Sequence, residues 1–206
     1  IDACADGELP RIGGGCTPVG ARTCGEGFTL AKTSGCSPVL PAAACPKGQM
    51  AIPGETVCHS VSPCGTGPWG DIPVGADTLY VDAAYTGADA DGSAAHPFPT
   101  IQRGVDAAKP KAVVAVAAGR YPEDLVIRSS VRLFGVCPDK VEVAGVSKTF
   151  AIDVSSDAEL HALAVTGPSV GIGVYAARVL VDRVWVHDAG EWGVDVEDSV
   201  TRAGEL

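Results

Sequence analysis

Apolar residues recur at a nearly constant spacing in the second half of the chain. Ile152, Ile172 and Val194 occupy corresponding positions of this repeat. The segment Leu163–Thr166 returns at a similar interval as Val184–His187. A period of about 20 to 22 residues with two or three short strands per unit is typical of a β-solenoid, whose turns stack their apolar side chains on one another. The chain is therefore predicted to be an all-β solenoid, with a β-sandwich as the alternative.

Short β-branched runs between residues 79 and 154, each closed by Gly, Asp, Ser or Pro, predict further strands. One segment has a helical pattern instead. Ile101, Val105 and Ala108 share one helix face, Thr100 is the candidate N-cap, and Pro110 ends the segment. The first turn of a solenoid would otherwise expose strand edges and apolar side chains to water. We therefore expect this short helix to cover that turn.

Seven of the eight cysteines lie between Cys4 and Cys64, and no two of them are spaced as Cys-x-x-Cys. Zinc and haem sites use such close pairs, so disulfides are the better interpretation, and they indicate an oxidising compartment. Because seven is odd, the eighth cysteine is expected to join the N-terminal segment to the second half, although a free thiol in the core is the alternative. The cysteines assigned to disulfides, with the pairing left open, are Cys4, Cys16, Cys24, Cys36, Cys45, Cys58, Cys64 and Cys137.

The chain changes character near residue 77, so we predict a disulfide-rich module at 1–76 and a solenoid at 77–206. The net charge of -10, from 15 basic and 25 acidic residues, argues against nucleic acid as a partner. No apolar run approaches the roughly 18 residues needed to cross a bilayer, which argues against membrane insertion. The chain begins without Met or a leader, and we expect a secreted or cell-surface protein whose signal peptide has been removed.

Four segments carry a family resemblance: Leu79–Asp82, Gly87–Ser93, His96–Gln102 and Val105–Ala108. Together they resemble the N-terminal segment of extracellular right-handed parallel β-helix proteins of the pectate-lyase-like superfamily. The cysteine-rich region before them is similar to that of surface β-helix proteins of myxobacteria-like bacteria. The resemblance implies a right-handed parallel β-helix with an N-terminal capping helix and an extracellular location. It implies no reaction, because the superfamily includes lyases, hydrolases and adhesins.

The loop Asp89-Ala90-Asp91-Gly92 resembles the start of a calcium loop, in which carboxylates and a turn glycine surround a hard cation. It lacks a third acidic position and the closing glutamate. The alternative is a turn in which the Asp side chains accept backbone N–H bonds and Gly92 takes a positive φ. The protein is expected to require no cofactor, with calcium at Asp89 and Asp91 as the one candidate.

Alternation along the last strands predicts a set of outward side chains. If the valines of these strands point inward, aromatic residues, one histidine and several carboxylates line the surface. Such a surface suits a polysaccharide, because aromatic rings stack on sugar faces. The candidate ligand-binding residues are Asp153, Tyr175, Trp185, His187, Asp195 and Glu197.

No catalytic residue is assigned. A glycosidase would need two carboxyls, for which Asp188 with Asp195 or Glu197 is the candidate pair, and a lyase base could come from Arg178 or Arg183. An ordinary solvated face explains the same residues. The main hypothesis is a non-catalytic structural, adhesive or glycan-binding protein. The alternatives are the N-terminal part of a polysaccharide lyase or glycoside hydrolase, and a self-assembling filament or surface-layer subunit that stacks through the solenoid end.

Overall fold

The computed structural model describes residues 4, 5, 7–31 and 35–197. The chain forms two compact units, Ile1–His59 and Ser60–Leu206, whereas the sequence placed the division between residues 76 and 77. Residues 60–76 are joined to the solenoid by a covalent bond and by an aromatic contact. Cys64 forms a disulfide with Cys137, and the Trp69 ring lies edge-on to Tyr80 at 4.7 Å between centroids.

Three two-stranded sheets make up the regular structure of the described residues of the first unit, and the last of them reaches Ser60. The first two are antiparallel hairpins. Their strands are short because Gly and Pro recur throughout this region. The pairs are β1 (Glu8–Pro10) with β2 (Cys16–Pro18), β3 (Phe28–Leu30) with β4 (Cys36–Pro38), and β5 (Gln49–Met50) with β6 (His59–Ser60).

Disulfides hold the first unit together. None of the described hydrophobic residues before Ile72 is buried, so there is little apolar core to oppose the entropy of unfolding. The three local disulfides close loops with sequence separations of 12 or 13 residues, and the fourth spans 73 residues. The prediction that all eight cysteines form disulfides is confirmed, and the alternative of a free Cys137 is wrong. The pairs are Cys4–Cys16, Cys24–Cys36, Cys45–Cys58 and Cys64–Cys137.

The three pairs of strands belong to a repeat that the sequence prediction missed. A Cys-x-x-Gly motif precedes each pair and recurs a fourth time at Cys64. Its glycine adopts a positive φ every time, which a residue with a Cβ rarely does. At Gly27 a Cβ would also overlap the Pro53 carbonyl oxygen. The fourth motif differs because its cysteine pairs with the solenoid. The glycines are Gly7, Gly27, Gly48 and Gly67, with φ of 84°, 81°, 70° and 72°.

Up to residue 197, the second unit is a parallel β-solenoid of four turns, preceded by one strand and one helix. Three short strands form each turn, as the repeat predicted. In chain order the elements are β7 (Leu79–Val81), α1 (Ile101–Ala107), β8 (Val113–Val116), β9 (Gly119–Tyr121), β10 (Leu125–Ile127), β11 (Val131–Gly135), β12 (Val141–Ala144), β13 (Phe150–Val154), β14 (Ala158–His161), β15 (Ala164–Gly167), β16 (Val170–Tyr175), β17 (Val179–Asp182), β18 (Trp185–Ala189) and β19 (Val194–Glu197).

Corresponding strands of successive turns form three parallel sheets. Sheet I contains β7, β8, β11, β14 and β17, sheet II contains β9, β12, β15 and β18, and sheet III contains β10, β13, β16 and β19. Ile152 pairs with Ile172, which pairs with Val194. Val165 likewise pairs with Val186. The register confirms the repeat read from the sequence.

The core is a set of apolar columns inside the coil. In sheet I, Val114 pairs with Leu133, and Leu133 pairs with Leu160; all three have no exposed surface. Burial of one such side chain stabilises the fold by about 1.5–3 kcal/mol. The column in sheet III ends differently, because Ile172 is fully buried whereas Val194 is 39% exposed. Stacking of one turn on the next is therefore the main source of solenoid stability.

The helix α1 contacts β7 and two strands of the first turn, β8 and β10, as expected for a cap. Thr100 occupies the N-cap position, as predicted, but its side chain makes no capping bond. The carboxylate of Glu123 instead accepts the backbone N–H groups of Ile101 and Gln102, at 2.8 and 3.0 Å. The Gln102 side-chain amide donates a hydrogen bond to the Val126 carbonyl and accepts one from the Val126 backbone N–H. These are hydrogen bonds that a preceding strand would make at the open edge of β10.

None of the helices in the described ranges combines the length and the apolar character that a membrane span requires.

Candidate functional site

Four of the six predicted ligand-binding residues lie together on the outer face of sheet III. Asp153 pairs with Gly173, which pairs with Asp195. Tyr175 pairs with Glu197 on the same sheet. Inward residues such as Val154 and Val174 are fully buried, so alternation directs these polar side chains outward.

Phe150 joins this group and was not predicted. A Cβ at position 173 would lie 2.5 Å from the Phe150 ring, so the ring covers the glycine. The same ring meets Tyr175 edge-to-face, with centroids 5.5 Å apart and an interplanar angle of 85°. The only signal in the sequence was a glycine inside a β-branched strand, which marks a close approach by another group. We name Phe150, Asp153, Tyr175, Asp195 and Glu197 the platform.

The platform is acidic, and its groups influence one another. Partial burial raises the pKa of Asp153, while the nearby Arg128 acts in the opposite direction. Partial burial also raises the pKa of Tyr175, and the charges of Glu197, Asp195 and Asp153 raise it further. The three carboxylates therefore lie near one tyrosine hydroxyl. This face offers hydrogen-bond acceptors beside an aromatic pair.

Trp185 and His187 lie on sheet II, and the predicted set is divided between two sheets. Their rings stack with centroids 3.9 Å apart. His187 Nδ1 lies 2.9 Å from the Asp188 carboxylate, and among the described residues its buried Nε2 has no hydrogen-bond partner. Asp188 is therefore on a different sheet from Asp195 and Glu197, its candidate partners in a glycosidase pair.

The loop at Asp89 to Ser93 is an ordered turn. Asp91 Oδ1 accepts the backbone N–H of Ser93 at 2.8 Å, and Gly92 has a φ of 83°. The turn interpretation is confirmed for these two residues.

Asp89 has different partners from those predicted. It accepts a hydrogen bond from the Tyr85 hydroxyl and lies 2.8 Å from His96 Nδ1. The Tyr85 hydroxyl bond is the main cause that holds the pKa of Asp89 below its usual range. The same bond raises the pKa of Tyr85 to about 12.

Across the described residues, the group that brings three candidate metal-ligand atoms within reach of one ion is Cys4, Glu8 and Cys16. The two sulfur atoms of this group form a disulfide, which removes the thiolates that a metal would need. Calcium binding by Asp89 and Asp91 stays a prediction.

Five charged or titratable side chains form a chain across sheet I, which we name the charged ladder. Arg132 Nε donates to Glu159 Oε2 at 2.9 Å, and His161 Nε2 lies 3.0 Å from the same oxygen. On its other side, His161 Nδ1 lies 3.2 Å from Asp182 Oδ2, to which Arg183 Nε donates at 2.9 Å. The hydrogen bond from Arg132 lowers the pKa of Glu159, and that from Arg183 lowers the pKa of Asp182. Both carboxylates are therefore held charged.

The sequence did not predict the charged ladder. The His161 ring stacks on Phe134 at 4.1 Å and lies in a groove of about 350 Å³ that Asp71 and Pro73 also line. Arg132 and Glu159 pair directly across a sequence separation of 27, whereas the repeat read from the sequence is shorter. The second turn is longer than the repeat, so the repeat did not predict the alignment of Arg132 with Glu159.

No curated protein and no solved structure gives a significant match to the chain. A family model described as a protein of unknown function (DUF1565) matches residues 85–172. The match covers α1, the first two solenoid turns and part of the third. Over these residues the chain is similar to DUF1565, a family whose description assigns no activity.

Proposed function

We propose that this protein is an extracellular, non-catalytic binding module that holds an uncharged glycan on the platform of sheet III. The observation that carries the proposal is the Phe150–Tyr175 aromatic pair, bordered by the carboxylates of Asp153, Asp195 and Glu197. A structural or adhesive role for the solenoid is compatible with such binding.

The chemistry of the platform favours sugars. The apolar C–H faces of a pyranose ring stack on aromatic side chains, and carboxylates accept hydrogen bonds from sugar hydroxyls. Three carboxylates near one tyrosine would repel a uronate or a sulfated sugar. We therefore propose a neutral glycan as the ligand class.

The four disulfides support an extracellular location. Disulfides persist in secreted and surface proteins and are rare where thiol reductants are abundant. The first unit in particular depends on them, because none of its described hydrophobic residues is buried.

Affinity electrophoresis in gels that contain soluble β-glucan or galactomannan tests the proposal. We expect at least one of these neutral polymers to retard the protein. Phe150→Ala and Tyr175→Ala should each abolish the retardation, whereas Phe28→Ala, which removes an exposed aromatic ring from the first unit, should not. Retardation that survives both platform substitutions would contradict the proposal, and so would the absence of retardation in every neutral polymer.

A second candidate is a polysaccharide hydrolase or lyase, which the raised pKa of Asp153 favours. Asp153 and Asp195 are two strands apart, or about 10 Å between backbones, close to the carboxyl separation of inverting glycosidases. Release of reducing ends from the same neutral polymers, or of unsaturated sugars from a polyuronate, lost in Asp153→Asn, would support this candidate. Binding without release would reject it.

Self-association is the third candidate. Val194 and Val196 stack on fully buried residues yet are 39% and 40% exposed in the part of the chain that the structure describes. We propose that a second copy of this chain covers this apolar surface. Light scattering at two protein concentrations should then show a mass that rises with concentration, and a constant monomeric mass would reject the proposal.

A further inference from the structure

A groove of about 460 Å³ runs along the start of sheet I, away from the platform of sheet III. Its walls come from corresponding positions of successive turns. Val131 pairs with Ala158, which pairs with Val179; the residues just before them are Ser130, Asp157 and Arg178. Lys111 continues this row into the first turn, because its backbone N–H donates to the Ser130 carbonyl at 2.7 Å.

Cations outnumber carboxylates in this groove. Lys111, Arg132 and Arg178 line it, against Asp157 and Glu159. The excess contrasts with the whole chain, which has 15 basic and 25 acidic residues. At the end of the groove formed by the first and second turns, the lining includes Lys111 and Arg132. These two turns contribute no carboxylate to the lining.

At this end two side chains, and the terminal amino groups of a third, have no protein acceptor among the described residues. The Lys111 ammonium makes no hydrogen bond or ion pair there, in contrast to Lys109, which pairs with Asp77. The Ser130 hydroxyl is likewise without a partner. Arg132 donates through Nε to Glu159, which fixes the guanidinium and leaves its terminal amino groups available. A planar guanidinium can bind an oxyanion through these groups.

The backbone of Lys111 is strained. Its φ is 67°, a value that costs a residue with a side chain about 1 kcal/mol or more and that clusters at functional positions. In this conformation the lysine belongs to the lining of the groove.

We infer that Lys111, Ser130 and Arg132 form a binding site for an oxyanion, either free phosphate or sulfate, or the carboxylate of an acidic sugar. An ammonium, a hydroxyl and a guanidinium would surround the anion with charge-assisted hydrogen bonds. This site is independent of the proposed glycan platform, because it lies on another sheet and has the opposite charge preference.

NMR titration of the ¹⁵N-labelled protein tests the site, at constant ionic strength maintained with NaCl. The probes are inorganic phosphate, sulfate, D-glucuronate and D-glucose. We expect saturable shifts of the amides of residues 111, 130 and 132 with at least one anion and no shift there with glucose. Shifts with phosphate or sulfate alone would assign the site to free inorganic anions, and shifts with glucuronate would assign it to an acidic sugar.

Lys111→Gln should weaken the binding at least tenfold, because it removes one charge-assisted contact. It removes no ion pair with a described residue, so its melting temperature should stay close to that of the wild type. Arg132→Lys keeps the charge and should still weaken binding by losing the forked donors. The matched control, Lys148→Gln, changes an exposed lysine outside the groove and should leave the affinity unchanged.

The inference would be overturned by no saturable shift with any anion, by equal shifts with glucose, or by equal affinity in Lys111→Gln. A loss of affinity in Lys148→Gln as large as that in Lys111→Gln would also overturn it, because binding would then reflect total charge. Failure of this site leaves the platform proposal unaffected, since the two use different probes and different residues.

Discussion

At the scale of single residues, Asp153 combines a platform position with an unfavourable environment. Partial burial raises its pKa, so the folded protein binds a proton there more tightly than the unfolded chain does. The charged form is thus penalised in the folded state. Ionisation of such a group lowers the free energy of unfolding once the pH exceeds the pKa of the group in the unfolded chain. The loss is complete above the pKa of the group in the folded protein.

Asp153→Asn should therefore raise the melting temperature at pH 7. The expected gain is small, about 1–2 °C, because much of the carboxyl still contacts water. At pH 3 and below the gain should disappear, since Asp153 is then protonated in both states. Thermal unfolding at both pH values measures this difference. Asp139→Asn, at an exposed position, should show no gain, and an equal gain at both pH values in Asp153→Asn would contradict the burial argument.

The sequence predicted the polar residues of the platform but not its aromatic partner. Asp153, Tyr175, Asp195 and Glu197 follow from strict alternation along strands whose other face is apolar. Phe150 does not, because its ring position depends on the absence of a side chain at Gly173 on the neighbouring strand. Contacts of this kind depend on the exact pairing of turns.

At the scale of elements, the capping helix depends on both a local apolar pattern and a partner that is distant in sequence. Its apolar spacing predicted the helix, and Ile101 and Val105 are buried as expected. The carboxylate that caps its N-terminus could not be predicted from neighbouring residues, because Glu123 reaches it from the first solenoid turn, 22 residues away from Ile101. The same contact ties the helix to the turn that it covers.

Glu123→Ala should destabilise the solenoid by about 1–2 kcal/mol, since two backbone N–H groups at the helix start lose their acceptor. Chemical denaturation measures the change. Thr100→Ala is the matched control, because Thr100 makes no side-chain capping bond, and we expect a change below about 0.5 kcal/mol. A larger effect from Thr100→Ala than from Glu123→Ala would contradict this assignment of the cap.

At the scale of the whole molecule, two different repeats are joined in one chain. The apolar repeat of the solenoid was visible in the sequence because burial demands β-branched residues at fixed positions. The repeat of the first unit was not recognised, because its turns are defined by Cys-x-x-Gly and a disulfide, without apolar periodicity. The last motif of the first repeat begins at Cys64, and its disulfide with Cys137, over a sequence separation of 73, joins it to the solenoid.

Removal of that disulfide should weaken the solenoid strongly. A cross-link over a loop of this size stabilises the folded state by about 4 kcal/mol through the entropy of the unfolded chain. We expect a loss approaching this value in the double variant Cys64→Ala/Cys137→Ala, measured by chemical denaturation of the solenoid. Cys24→Ala/Cys36→Ala is the control, because this disulfide lies within the first unit. Equal losses in the two variants would contradict the assignment of Cys64 to the solenoid.

We propose that the outer face of sheet III binds a neutral glycan. Backbone amide shifts during titration with a soluble neutral oligosaccharide, derived from the polymer that retards the protein, test this binding residue by residue. We expect saturable shifts concentrated at residues 150, 153, 173, 175 and 195, and no such shifts in Phe150→Ala. Saturable shifts confined to sheet I or sheet II would contradict it, and so would shifts at sheet III that persist in Phe150→Ala.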